Sequence, residues 1–572
     1  MATALPQPPI ARSPLRLLGL LDRAAASHRA AALLLTIVTL LAILPGFFGI
    51  PPIDRDEALF AQISKQMIES GNYVDIHYQE QDFYKKPAGI NWLQAAVVKS
   101  AVALGMPSAM TSIWVYRIPS LIGAVAAVLL AYWTALACVG RRPAVLAALM
   151  LAVSVMFDLQ GRLARTDEVL MAVFLAALGA MARIYLAERR APGSVKGWLL
   201  PAIFWTAMAA GVLLKGPFIL LFMGLIAAIL VVTDRSIRWV WALRPIPGVV
   251  WLVVLLLPWV AAIVSRTGTS FFADSIGHDM LGKVAEGQES HGAPPGYYLV
   301  LYVITFFPAA MLTLLAAPRA WALRREPWVR FLLAWIVPAW IIFELVPTKL
   351  PHYVLPLYPA IAILIAEAVE SGKLSRNRWL VLGTIGWFLI PLILSGLVIA
   401  GLIYLTGDLG LLAWPFALAA TVLGYLAWRR YGAEGAEAAL LRASAASILM
   451  GIAVAGVALP AMTPLFPSVA LARVVDSLGC PHPIAASVGY DEPSLVFLLG
   501  TETKLIDPFA AVDFLKPGGC RIAFVDSQLE FFFTKQAQKL GLQFQRGPVI
   551  EGFNYSKGRR ISMVVFRPEA VP

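Results

Sequence analysis

Apolar runs of spanning length recur along most of the chain, separated by short polar stretches. A helix crossing a bilayer needs about 20 mostly apolar residues. Runs of that kind lie near 30–50, 115–137, 143–158, 168–187, 198–214, 216–233 and 247–265. They continue near 297–317, 328–345, 353–370, 379–404, 411–428 and 443–461. The pattern predicts an α-helical polytopic membrane protein with about 13 transmembrane helices.

Two stretches between the first and second runs behave differently. From Glu57 to Ser70, Leu59, Phe60, Ile63, Met67 and Ile68 recur at helical spacing among polar residues. The stretch 87–104 is apolar but short and interrupted. Both predict interfacial helices lying on the membrane. The tail from about 470 changes character again. Short β-rich runs at 484–489, 503–507, 521–526 and 561–566 alternate with helical patterns at 508–515 and 528–541. This predicts a small α/β domain outside the bilayer.

Composition agrees. Hydrophobic residues make up 59% of the 572 residues and charged residues 14%, and mean hydropathy is +0.75. A soluble fold needs a more charged exterior. The net charge of +12 sits mostly in short loops, so it sets topology and does not imply a nucleic-acid partner. One alternating set of loops carries Arg141/Arg142, Arg189/Arg190, Arg235/Arg238, Arg324/Arg325, Arg376/Arg378 and Arg429/Arg430. These loops are expected on the cytoplasmic side, together with the N-terminal segment 1–29. That leaves 51–114, 266–296 and the tail domain 470–572 outside a membrane domain spanning 30–465. If 88–105 crossed the membrane, the later basic loops would fall out of register. The tail domain is therefore expected on the side opposite the cytoplasm.

The outer face should be poor in Lys and Arg, so its exceptions are informative. Lys85, Lys86, Arg117, Arg162, Arg165, Lys215, Arg266, Lys283 and Lys349 fall there, with Asp54, Asp56, Glu57, Asp82, Asp158, Asp167, Glu168, Asp274 and Glu344. Ionisable groups at membrane depth usually face a cavity or a partner. Cations at headgroup level suit a lipid phosphate, and a carboxylate beside them suits a general base. A sugar phosphate carries its own leaving group and needs no second carboxylic acid, unlike a glycosidase substrate. No glycine-rich nucleotide fingerprint or P-loop occurs, so a donor delivered by the membrane fits. A transporter or flippase of lipid-linked sugars is the alternative, and a non-catalytic envelope assembly protein is a third.

Several segments then carry a resemblance: IDRDEALFAQISKQMIESGNYV and DFYKKPAGINWLQA in the first loop, RIPS at 117–120, GRLARTDEVLMAVFLA at 161–176, LLKGPF at 213–218, and VPTKLPHYVLPLYPAIAILIA at 346–366. Together they resemble the bacterial branch of the protein O-mannosyltransferase-like glycosyltransferases, which includes the aminoarabinose transferase of lipid A. The resemblance implies a GT-C fold and an inverting transferase in a bacterial inner membrane, with its N-terminus cytoplasmic and its tail domain periplasmic. Its donor would be a polyprenyl-phosphate sugar, and its acceptor lipid A, lipopolysaccharide, another envelope glycan or a protein. It implies Asp56 as general base, with Asp54 the near alternative, and Asp167 as a second acid positioning a sugar hydroxyl or a cation. It implies phosphate contacts from Lys86, Lys215 and Lys349, and a hydrogen bond from Tyr353. Glu57 and Arg165, from the same outer charges, join the substrate-binding set.

Simpler readings stand beside these: Asp56 or Asp167 as helix N-terminal acids, the lysines as snorkelling side chains, and Tyr353 as part of an aromatic belt. Two departures stand out. The aminoarabinose enzymes carry E-K-P where this chain has Lys85-Lys86-Pro87, and D-E-x-R-Y is D-E-A-L-F here. No required metal or other cofactor is predicted; a divalent ion stays open, with His278 as the weak candidate ligand. Cys480 and Cys520 either pair or stay as two thiols; spacing does not decide.

Overall fold

The computed structural model describes residues 16–275, 277, 282, 292–480 and 482–568. His278 and Lys283 lie outside the described residues. The protein is a helical membrane bundle carrying a small sheet domain. Among the described residues, six helices are long and apolar enough to cross a membrane: Ile113–Cys138, Asp167–Arg190, Pro245–Thr267, Pro327–Leu345, Arg378–Thr406 and Trp414–Ala461. Two bent pairs bring the count to eight if each is one crossing: Arg141–Ala152 with Val155–Gly161, bent by 63°, and Tyr297–Thr305 with Ala310–Ala322, bent by 114°.

The thirteen expected crossings are therefore not all present as full-length helices. His28–Ile43, Leu199–Lys215 and Phe218–Asp234 are apolar but shorter than the roughly 20 residues a straight crossing needs. The run expected at 353–370 becomes a helix only from Tyr358 to Glu370. Pro351, Pro356 and Pro359 crowd its start, and proline belongs at a helix beginning, not within it. The runs at 411–428 and 443–461 join into one long helical element that breaks at Gly435, where φ is 87°.

Burial separates lipid-facing helices from central ones. In the most apolar window of Asp167–Arg190, 78% is buried within the protein, against 17% for Pro245–Thr267. The central helix packs tightly on Ile113–Cys138, since a Cβ on Gly123 would lie 2.7 Å from the Val169 nitrogen. Small residues at such contacts let helix backbones approach closely. Gly89 does the same where Gly89–Ala103 meets Leu213, which draws the preceding Lys85-Lys86 pair toward Lys215.

The basic loops collect at one end with acids of their own. Arg142 pairs with Asp22 at 2.8 Å, Glu370 at 2.5 Å and Glu437 at 2.6 Å. Arg319 pairs with Glu367 at 2.9 Å, and Arg330 with Asp234.

The first long loop holds the helix Asp56–Ser70, a short hairpin of β1 (His77–Tyr78) and β2 (Gln81–Asp82), and the helix Gly89–Ala103. Both expected helices of this loop are present. The tail forms a five-stranded mixed sheet from β3 (Ile484–Val488), β4 (Lys504–Leu505), β5 (Arg521–Asp526), β6 (Phe544–Asn554) and β7 (Arg559–Pro568). Its order is β4-β3-β5-β7-β6, with β3 parallel to β4 and β5, and β7 antiparallel to β5 and β6. Strand β6 was not expected; its outward residues and Gly-Pro interruption hide the alternation that marks a strand. Helices Pro508–Leu515 and Glu530–Lys539 pack against the sheet. Cys480 and Cys520 form a disulfide, with Cα atoms 5.9 Å apart.

Candidate active site

The end of the first apolar helix, the first loop and the turn at 162–166 are pinned together by one buried ion pair. Glu57 is 1% exposed and Arg117 0%. Arg117 donates to Glu57 from Nε at 2.7 Å and Nη2 at 2.9 Å. Its remaining hydrogens reach the carbonyls of Phe47, Ile50 and Pro51. Glu57 also accepts from the backbone N–H of Ile53 at 2.9 Å and Ala164 at 2.8 Å. Both partners are thus fully hydrogen-bonded, the condition under which a buried pair is tolerated. The Glu57 oxygens are thus engaged by protein donors, and the residue fixes the backbone of the site. Arg117 anchors the segment through these carbonyl contacts.

The pin sets Asp56 opposite Arg165. Asp56 opens the Asp56–Ser70 helix and Asp167 opens Asp167–Arg190, so both acids sit at positive helix ends. Arg165 lies between them, with Nη2 2.7 Å from Asp56 Oδ2 and Nε 3.4 Å from Asp167 Oδ2. Lys215, the last residue of Leu199–Lys215, reaches Asp167 Oδ1 at 3.1 Å. His352 Nε2 lies 3.7 Å from the same oxygen. The Lys215 ammonium also stands 5.8 Å from the Tyr353 ring centre, and Lys86 stands 4.6 Å from that of Phe60.

Burial pushes the Asp56 carboxyl up, but Lys86 and Arg165 outweigh burial and hold it below the ordinary value. Burial also lowers Lys86, opposed chiefly by Asp56. His352 falls to about 3, chiefly through burial, with Asp167 opposing the fall and Arg165 and Lys215 adding to it. At neutral pH the site therefore presents an ionised Asp56 and a neutral imidazole.

These groups head a cavity of about 940 Å³. Its polar end is lined by Arg55, Asp56, Lys85, Lys86, Arg165, Asp167, Lys215, His352 and Tyr353. Below them run Leu170, Met171 and Phe174 of one helix, Phe218, Leu221, Phe222 and Leu225 of a second, and Ala339, Ile342 and Phe343 of a third. Asp491 and Pro493 of the tail domain close one side. The cavity is charged at one end and oily along the rest, which suits a phosphate carrying a long hydrocarbon chain.

Of the expected residues, Asp56, Lys86, Arg165, Asp167, Lys215 and Tyr353 meet at this cavity. Lys349 does not line it; it is buried and donates to the Val346 carbonyl at 2.5 Å. That bond holds the turn before His352. Asp54 points away, toward the tail domain, where Ser494 N–H donates to it at 3.0 Å. Between these two acids Arg55 adopts φ 66°, ψ −117°, a region that costs a non-glycine residue about 1–3 kcal/mol. His352 and the apolar groove were not singled out from sequence. His352 lies inside the K-L-P-H-Y segment, and that neighbourhood was its available signal. Among the described residues, no three His, Cys, Asp or Glu side chains converge as a metal site.

Comparison with known proteins adds independent observations. Residues 85–262 match the family described as dolichyl-phosphate-mannose-protein mannosyltransferase. The chain is similar to the undecaprenyl phosphate-alpha-4-amino-4-deoxy-L-arabinose arabinosyl transferase 2 of Pseudomonas fluorescens, at 28% identity over 61% of each chain. It is also 28% identical to the corresponding transferase of Edwardsiella ictaluri, over 57% of this chain and 58% of that one. The match thus spans about three fifths of these relatives. The fold matches that of ArnT from Cupriavidus metallidurans, solved bound to undecaprenyl phosphate: TM-score 0.72, 19% identity, 93% of this chain and 97% of that one. The oligosaccharyltransferase AglB of Archaeoglobus fulgidus is more distant, with TM-score 0.50 and 13% identity, covering 90% of this chain and 69% of that one.

Proposed function

We propose that this multi-pass membrane protein, a GT-C-fold relative of the aminoarabinose transferases, moves a sugar from a polyprenyl-phosphate carrier to a hydroxyl of an envelope acceptor. The acceptor is lipid A, lipopolysaccharide, another glycan or a protein. The reaction occurs at the outer face of the bacterial inner membrane, with the tail domain in the periplasm. One observation carries this reading: the Asp56–Arg165–Asp167–Lys215 cluster stands at the mouth of an apolar groove. The names of the relatives, which specify an undecaprenyl phosphate sugar donor, support it. So does the bound undecaprenyl phosphate in the Cupriavidus structure.

The hydrocarbon chain lies along Phe218, Leu221, Phe222 and Phe343, and the phosphate meets Lys86, Lys215 and Arg165. The acceptor hydroxyl gives its proton to Asp56 as its oxygen bonds to the anomeric carbon. The bond from that carbon to the phosphate oxygen breaks on the opposite face, so configuration inverts. The carrier leaves as a phosphate monoester, its charge changing from −1 to −2. The cations therefore gain attraction as the bond breaks, which lowers the barrier instead of merely tightening binding. Asp167 holds Lys215 and Arg165 in place and orients a sugar hydroxyl.

The test is turnover of polyprenyl-phosphate sugars by the purified protein in lipid nanodiscs. Asp56→Asn should lose at least about a hundredfold in kcat while still binding the donor. Full turnover by that variant would rule Asp56 out as the base. Transbilayer movement of lipid-linked sugar in proteoliposomes, without transfer, would favour the transporter instead.

A further inference from the structure

Four consecutive residues at the head of the first loop are held by different parts of the molecule. Asp56 faces Arg165 and Glu57 faces Arg117, both on the membrane side. Asp54 and Arg55 face the tail domain, more than 430 residues away in sequence. The Asp54 backbone N–H donates to the Tyr555 hydroxyl at 2.5 Å. The Asp54 carboxylate accepts from Ser494 N–H at 3.0 Å and Tyr490 O–H at 3.5 Å. Arg55 Nη2 donates to the Ser556 carbonyl at 2.5 Å. Ser468 braces the same contact, with its hydroxyl 2.8 Å from Tyr490 and 2.6 Å from Ser494.

The backbone bends sharply between the two sets of anchors. Arg55 sits at φ 66°, ψ −117°, a conformation that persists only where surrounding contacts hold it. The tail domain supplies such contacts on both sides of the Asp54–Arg55 peptide. It grips the same loop further along, where Lys65 donates to the Phe497 carbonyl at 3.0 Å and Gln62 to Thr501 at 2.8 Å.

We infer that the docked tail domain is a working part of the site: through Tyr555, Ser494 and Ser556 it holds the Asp54–Arg55 bend and thereby positions Asp56. Asp54 and Tyr555 are positioning residues, since their hydrogen bonds join the loop to the tail domain outside the cavity lining. The inference rests on the reading of Asp56 as the base. Misplacing a catalytic group by about 1 Å can cost about a hundredfold in rate, so loosening the bend should appear in kcat more than in donor binding.

The experiment uses the full-length protein in nanodiscs and compares Asp54→Ala, Asp54→Asn and Tyr555→Phe with wild type. Asp54→Asn keeps an oxygen for the Ser494 N–H, and Tyr555→Phe removes a single oxygen atom. Asp54→Ala and Tyr555→Phe should lower kcat by about tenfold, with donor KM within about twofold and an unchanged melting temperature. Asp54→Asn should restore most of the rate. Wild-type kcat in both Asp54→Ala and Tyr555→Phe would overturn the inference, as would a loss of rate that only follows a loss of folded protein. Should Asp54→Ala fail to fold, Tyr555→Phe decides. If wild type transfers no sugar from any polyprenyl-phosphate donor, the functional reading itself fails, and that outcome is distinct.

Discussion

Asp56 depends on neighbours that act in different ways. Arg165 and Lys86 keep it ionised against its burial, and Glu57, the next residue, fixes the backbone through Arg117. The sign of the shift sets the pH behaviour. A carboxyl held below its ordinary value keeps its charge, and the associated stabilisation, until pH falls through that lowered value. Turnover should therefore show no inflection from Asp56 between pH 5 and 8 in a kcat profile. Asp54 runs the other way, since burial raises it to about 7 despite the Ser494 hydrogen bonds, with Glu492 adding to the rise. Asp491, Tyr78, Tyr490, Tyr555 and Glu492 share that contact, and Arg55 adjoins it in the chain. The docked state thus holds a proton that the undocked loop releases near the ordinary carboxylate value of 3.8. Docking should weaken as pH rises from about 4 to about 7 and then level off. Hydrogen exchange at the Asp54 and Ser494 amides, compared at pH 5 and 8 after correction for intrinsic rates, measures this; Asp54→Asn should flatten the difference. Glu57→Gln keeps the shape of the buried pair but strips its charge. It should destabilise the protein by about 3–5 kcal/mol, read from thermal unfolding in detergent.

At the scale of elements, three helices make the groove and a fourth supplies the lysine above it. Leu221 and Phe222 of Phe218–Asp234 line the cavity together with Phe174 and Phe343, and the Phe222 ring meets that of Phe174 edge to face. Leu221→Trp should fill the space a hydrocarbon chain occupies. Donor KM should rise about tenfold or more for long isoprenoid carriers and stay near wild type for a short water-soluble analogue; overpacking of this kind typically costs about 1–3 kcal/mol. Equal KM changes for both donors would separate the groove from the lipid. The periodicity of these helices was plain in the sequence, as was the amphipathic helix after Asp56. Which apolar faces meet lipid and which meet the groove was not. Asp167–Arg190 and Pro245–Thr267 have similar hydropathy, 2.1 and 2.4, yet very different burial, because apolar side chains suit both lipid and protein interior.

At the scale of the whole molecule, the tail domain and the membrane bundle form one site wall. Asp491 and Pro493 reach the cavity beside Arg55 and Asp56. The disulfide Cys480–Cys520 closes a separation of 40 residues within that domain, which corresponds to about 4 kcal/mol in the chain-entropy model. Cys520→Ser should lower the domain's stability by about that amount, measured by denaturant-dependent proteolysis of the tail. The basic ends of the helices, with Arg142 holding three acids, suit a cytoplasmic face. Thiol-labelling of Cys variants in intact cells should find positions in the tail accessible and positions near Arg142 protected.

The pattern along the chain makes legible the membrane class, the acids and amines near the span ends, the two loop helices and the α/β character of the tail. Each rests on local composition or periodicity, which the bilayer and the backbone read directly. Tertiary structure alone decided that Glu57 is a buried pin and Lys349 a turn brace, that His352 joins Asp167, and that Asp54 belongs to the tail. Those distinctions depend on which donor fills each lone pair. Such partners come from segments a hundred or several hundred residues apart, and no local pattern in the chain records their distance.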